Sequence, residues 1–167
     1  MTAPDVYADY IKSLADAEDA RKSSLEQRGA GVATTSSALA TLLFALIGVV
    51  TAAANFSLPT SSHGYLVAAI ALFAVAVALG IAANVPLLYA QAKPTAEQLA
   101  RVWGYGEPEA QLYIIATRLK ILESARRSNT LKGSLVLAAA IIQLAALVVL
   151  VFAVLAILAA NPHPVNK

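Results

Sequence analysis

Apolar residues run almost unbroken through two long stretches of the chain. Between Arg28 and Lys93, and again from Gly133 to Asn166, there is no Lys, Arg, Asp or Glu. Both stretches exceed the roughly 18 apolar residues that mark a membrane-spanning helix. The first is interrupted at Phe56-Ser57-Leu58-Pro59-Thr60-Ser61-Ser62-His63-Gly64, where clustered Ser, Pro and Gly end a helix and form a short turn. The pattern predicts spans over about residues 31–55, 65–89 and 133–160, each near or above the roughly 20 residues that cross about 30 Å of hydrocarbon. Tyr65 and Tyr89 bracket the second span, where interfacial aromatics are expected.

The polar segments have a helical pattern of their own. Thr2-Ala3-Pro4-Asp5 can start a helix, and Tyr7, Ile11, Leu14 and Leu25 give it a narrow apolar stripe. Nothing breaks it before Gly29. After Pro94, Thr95-Ala96-Glu97-Gln98 reads as a capping box for a short helix ending near Trp103-Gly104-Tyr105-Gly106. Pro108 then opens a long helix with Leu112, Ile115, Leu119 and Leu122 on one face. The organisation expected is a helix over 1–28, a transmembrane hairpin over 29–92 with its turn at 56–64, a helical segment over 93–132, a third span over 133–160 and a tail at 161–167. The fold class is an all-α integral membrane protein, a bundle of three transmembrane helices with long cytoplasmic helical extensions.

A weak repeat runs through the two polar helices. Glu18-Asp19-Ala20-Arg21-Lys22-Ser23-Ser24 resembles Glu123-Ser124-Ala125-Arg126-Arg127-Ser128-Asn129, and each is followed by a base and a glycine, Arg28-Gly29 and Lys132-Gly133. Any cytoplasmic helix entering a membrane ends in basic and small residues. The other reading is two equivalent helices packed in parallel, with Asp16–Asp19 facing Arg118, Lys120, Arg126 or Arg127.

Composition and charge sharpen this reading. The chain has 167 residues, 59% hydrophobic and only 13% charged, about half the charged fraction of an ordinary globular protein. Arg21, Lys22 and Arg28 precede the first span, and Lys93, Arg101, Arg118, Lys120, Arg126, Arg127 and Lys132 lie between the second and third, leaving only Lys167 on the other side. The positive-inside rule then places the N-terminus in the cytoplasm and the C-terminus outside the inner membrane. Residues 1–28 lack the apolar core of a signal peptide. A net charge of +2 is too mild to imply nucleic acid. The absence of cysteine removes disulfides, thiolate metal sites and a cysteine nucleophile.

Little catalytic chemistry is on offer. His63 and His163 fall in the exported turn and tail, away from any partner that would make an acid–base pair or metal site, so neither an enzyme nor a cofactor is expected. No titratable group lies in the spans to mark a proton path. Thr34, Thr35, Ser36 and Ser37 lie early in the first span, and among the polar residues of the spans the candidates are Thr34, Thr41, Asn84 and Gln143, each either an interhelical hydrogen-bonding group or part of a pore wall. Thr34, Ala38, Thr41, Ala45, Gly48 and Ala52 form a small-residue stripe suited to close helix packing. Asn84, two residues before Pro86, has an amide suited to backbone groups that the proline frees. The loop Trp103–Pro108 is the candidate ligand site: Trp103 and Tyr105 could stack on a base and Arg101 or Arg118 could meet a phosphate, although a helix–helix turn explains the same residues.

Ala20-Arg21-Lys22-Ser23-Ser24-Leu25, the span opening at Gly31–Leu46, the hairpin end Asn84-Val85-Pro86-Leu87 and Arg118-Leu119-Lys120-Ile121-Leu122 together resemble the layout of small bacterial transmembrane effectors of Pycsar-type and SLATT-type anti-phage systems. The resemblance implies a homo-oligomeric helix bundle that impairs the lipid bilayer when a nucleotide-type signal or a protein partner engages its cytoplasmic side. Two alternatives remain open, an accessory subunit of a larger membrane complex and a holin-like pore protein.

Overall fold

The computed structural model describes residues 3–52, 59–85 and 107–160. Among them the backbone forms three helices and no strand: α1 (Ala3–Ala52), α2 (Thr60–Asn84) and α3 (Glu107–Ala160). All three are long and apolar enough to cross a membrane. α1 passes through Gly29 and Gly31, and α3 through Gly133, without interruption. A single glycine weakens a helix by about 1 kcal/mol relative to alanine, too little to end helices of 50 and 54 residues.

Both ends of α2 are set by prolines. The Ser62 amide and hydroxyl donate to the Pro59 carbonyl at 2.9 and 2.7 Å, so the helix already starts at Thr60. Residues 60–64 were expected in the turn, because Ser, Pro and Gly were read as breakers. Pro59 instead suits a helix start, since its fixed φ matches the first turn and its missing N–H is not needed there. α2 ends at Asn84, with Val85 in a bend immediately before Pro86, as the steric restriction on a residue preceding proline requires. The expected end near Tyr89 lies outside the described residues.

Contacts divide the chain into two units, residues 1–26 with 85–133 and residues 27–84 with 134–167; α1 and α3 contribute to both. In the second unit α2 is antiparallel to its neighbours and α1 is parallel to α3. Gly29 faces Gly80 and Ala83, whereas Ala33 faces Gly80; Tyr65 meets Phe152 with ring centroids 6.4 Å apart; and Thr35 pairs with Gln143. Leu43, Leu66, Ala69 and Ala153 form a buried cluster, with Ile47, Ile70, Val149 and Leu150 against it.

Burial repeats every three or four residues. On α2 the buried positions are Ser62, Leu66, Ala69, Phe73, Ala76, Gly80 and Ala83. On α3 they include Leu122, Asn129 and Val136, and Lys132, Ala139, Ala146 and Ala153, two ladders of seven-residue steps. Gly29, Ser36 and Leu43 continue the same step on α1. A 3.5-residue period is the signature of coiled-coil packing. Here, however, the inner positions are mostly small, while Val67, Leu137, Ile141, Leu144, Val151 and Leu155 point outward and are exposed.

Small inner residues let the backbones approach. A Cβ built on Gly80 would lie 2.7 Å from the Gly29 carbonyl oxygen, and one on Gly29 would lie 3.0 Å from that of Gly80. Gly31 and Gly48 face open space. Gly80→Ala is therefore expected to lower unfolding stability in detergent by about 1–3 kcal/mol, the usual penalty of overpacking, while Gly48→Ala leaves it unchanged or slightly raised. Equal effects in a thermal-unfolding comparison would contradict the close approach.

Candidate functional site

Among the described residues, polar side chains of α1 and α3 meet across the helices at the following two places. The first is in the first unit. Asn129 Nδ2 donates to the Glu18 carbonyl oxygen and to Glu18 Oε2, both at 2.9 Å. Arg126 Nε stands 3.5 Å from Glu18 Oε1, and Arg21 is 3.9 Å from Oε2 on the other side. One carboxylate is thus shared by a buried amide, an arginine of its own helix and the repeat-equivalent arginine of α3. Two turns along α1, the Lys132 ammonium donates to Glu26 Oε1. The lysine side chain has 0% exposure and that of Glu26 has 33%. Leu25 packs 3.8 Å from the site of a Cβ on Gly133, so α1 and α3 are parallel here too, and Arg126 is the base that meets the acidic stretch of α1.

Helix periodicity accounts for this gathering. Asn129 and Lys132 stand on the two buried ladders of α3, so a helix that turns its inner face toward α1 presents both. A buried ammonium without a partner is strongly disfavoured; Glu26 supplies the partner. Asn129 Oδ1 and the Ser128 hydroxyl, both shielded, find no hydrogen-bond partner among the described residues. None of Glu18, Glu26, Asn129 and Lys132 was singled out in sequence as a site. The available signal was phase, since residues 122, 129 and 136 and residues 132, 139, 146 and 153 recur at intervals of seven.

The second place lies within the second unit. Gln143 Nε2 donates to Thr35 Oγ1 at 2.9 Å, and that hydroxyl donates back to the Gly31 carbonyl at 2.9 Å. Thr35, the neighbour of Thr34, is therefore the residue that Gln143 reaches. Thr34 is exposed. Thr41 is exposed as well and returns its hydroxyl to the Ser37 carbonyl at 2.9 Å, a self-contained arrangement for a threonine on an apolar helix face. Ser36 is completely buried, and its hydroxyl has no partner among the described residues. Asn84 Nδ2 donates to the Gly80 carbonyl at 3.0 Å, one turn back on α2 and next to the Gly29 contact. The carbonyl that Pro86 would leave free belongs to Ala82, so the asparagine serves a different group from the one anticipated.

The small-residue stripe does not face the other helices. Ala38, Ala45, Gly48 and Ala52 are all exposed, because the inner face of α1 is the one carrying Gly29, Ser36 and Leu43. Of the candidate ligand residues, Arg101, Trp103 and Tyr105 lie outside the described residues. Arg118 is described and exposed; with Lys12, Asp19 and the apolar Ile11, Ile121 and Leu122 it lines a groove of about 200 Å³ between α1 and α3. His63 is exposed on α2, and among the described residues no three His, Cys, Asp or Glu side chains converge as a metal site would need.

No protein-family model, curated protein or solved structure matches the chain.

The ion pair of Glu26 and Lys132 makes an asymmetric expectation. Glu26→Ala strands a fully buried ammonium and should destabilise by about 3–5 kcal/mol, whereas Lys132→Met removes the buried charge, leaves a partly exposed carboxylate, and should be far milder or even stabilising. Chemical denaturation of both variants in the same detergent would decide it; equal losses would mean that the lysine is not buried as described.

Proposed function

We infer that the chain is an oligomeric multi-pass protein of the bacterial inner membrane, with a cytoplasmic N-terminus and an exported C-terminus. It impairs the membrane when a signal or partner engages its charged helices, as an anti-phage effector would. Membrane residence is supported by the distribution of side-chain size. Large aliphatic residues such as Leu137, Ile141 and Leu155 cover the outside of the helices, while Ala139, Ala146, Ala153 and Ser36 lie within. Lipid offers no hydrophobic drive for helix association, so close packing of small residues takes its place. Orientation rests on the concentration of Lys and Arg at residues 12–28 and 93–132.

The observation that carries the effector reading is helix continuity joined to interhelical polarity. α1 and α3 each run from a charged segment into an apolar one without a break. They are tied by Glu18–Asn129 and Glu26–Lys132 among the charges, and by Thr35–Gln143 among the apolar residues. A change in pairing at the charged end acts on the same two helices that hold Gln143. The groove lined by Lys12, Arg118 and Asp19 carries two cations against one carboxylate, a net positive lining for an anionic, nucleotide-type signal.

A second reading, an accessory subunit of a larger membrane complex, is favoured by the uncovered face of α1. Gly48 there has nothing within 4 Å, room for another protein's helix as much as for another copy.

Inducible expression in a bacterial host with a voltage-sensitive dye tests the effector reading. Wild type is expected to depolarise the membrane, during expression alone or on phage challenge, and Gln143→Leu at matched membrane levels to change the effect at least severalfold. No depolarisation under either condition would overturn the effector reading, and a stoichiometric copurifying partner would then establish the accessory one.

A further inference from the structure

We propose that Asn129 and Lys132, with their α1 partners Glu18 and Glu26, are a register lock: they hold α3 at one axial position against α1 where the alanine layers of the seam accept several and the one neutral Thr35–Gln143 hydrogen bond, worth about 1 kcal/mol, is too weak to choose among them. The need for such a lock follows from the seam itself. Within the second unit α3 presents Ala139, Ala146 and Ala153, each completely buried and each seven residues from the next. Sliding α3 by one heptad, about 10 Å at 1.5 Å per residue, replaces alanine by alanine at two of these layers in one direction and, with Ala160, at all three in the other. Such a seam packs tightly but discriminates poorly between registers.

The α1–α2 contact has a steric key in Gly29 and Gly80. Its counterpart between α1 and α3 is polar. Asn129 is 1% exposed and Lys132 0%, both at inner positions of the 3.5-residue period. A buried Asn or Lys at such a position is a known determinant of register, accepted at some loss of stability, because every displaced register buries it without a partner. Here a displacement by seven in one direction brings Leu122 and in the other Val136 to the level of Asn129, and neither can serve Glu18. The same displacements bring Ala125 or Ala139 to the level of Lys132, leaving Glu26 without its cation. Two polar layers three residues apart on α3 exclude slips in both directions. The lock concerns helix pairing alone and stands whether or not the chain depolarises membranes.

The chain contains no cysteine, so introduced pairs report register without background. Leu25→Cys is combined in turn with Gly133→Cys, the native neighbour, and with Arg126→Cys or Ala140→Cys, one heptad away on either side. Each full-length pair is treated in membranes with a short bifunctional thiol crosslinker. With the lock intact only the 25–133 pair is expected to crosslink. In a background of Glu18→Leu, Glu26→Leu, Asn129→Leu and Lys132→Met, the 25–126 or 25–140 pair should rise to at least a fifth of the 25–133 yield. Retention of the 25–133 crosslink alone in that background, with helicity preserved, would overturn the proposal. The exchanged pair Glu26→Lys with Lys132→Glu guards against a misfolded quadruple variant. It should retain the single native crosslink, and a spread of crosslinks from this exchanged pair would equally overturn the lock.

Discussion

Gly29 and Gly80 meet with so little space between them that a single methyl group on either helix would press on the other's carbonyl. This approach sets the scale of packing within the second unit. Backbones this close need small neighbours, and Ala33 and Ala83 beside the contact provide them. Along α2 and α3 the inner face continues as Ala69 and Ala76, then Ala139, Ala146 and Ala153. The bulky aliphatic residues consequently turn outward, an arrangement that water would penalise over so large an area and that lipid accepts.

The polar contacts acquire their meaning against that seam. A surface of alanines can be packed but says little about which layer meets which. Glu18–Asn129 and Glu26–Lys132 supply direction and register at one end of the α1–α3 pair, and Thr35–Gln143 adds a hydrogen bond among the apolar residues. A buried ammonium or amide N–H left without an acceptor costs more than the contact returns, and Glu26 and Glu18 supply the acceptors for Lys132 and Asn129 Nδ2.

Much of the architecture was legible in the sequence because it depends on polarity. The charge-free runs locate the apolar parts of all three helices, and Pro59 and Pro86 bound α2, although Pro59 was read as part of a turn when it stands directly before a helix. The inner faces were much harder to read. α2 and the apolar half of α3 are hydrophobic on every side, so the contrast between faces is one of size, which polarity patterns do not register. The stripe from Thr34 to Ala52 shows the difficulty. It has the right spacing and small residues, yet the face of α1 with Gly29, Ser36 and Leu43 is the one turned inward. Gln143 was legible as an interhelical donor because it is alone among aliphatic residues. Lys132 was counted among topology-setting bases; its burial comes from its phase with Ala139 and Ala146.

With mostly small residues within and large apolar ones such as Leu137 and Val67 outside, the helices have the side-chain distribution that suits a bilayer. Spin labels at single introduced cysteines, at Leu137 and Val67 outside and Ala139 and Ala76 inside, test it most directly in reconstituted vesicles. In a bilayer the outer labels collide freely with oxygen and hardly at all with a water-soluble nickel chelate, and the inner labels are immobilised. Ready collision of the Leu137 and Val67 labels with the chelate would place those faces in water and contradict it.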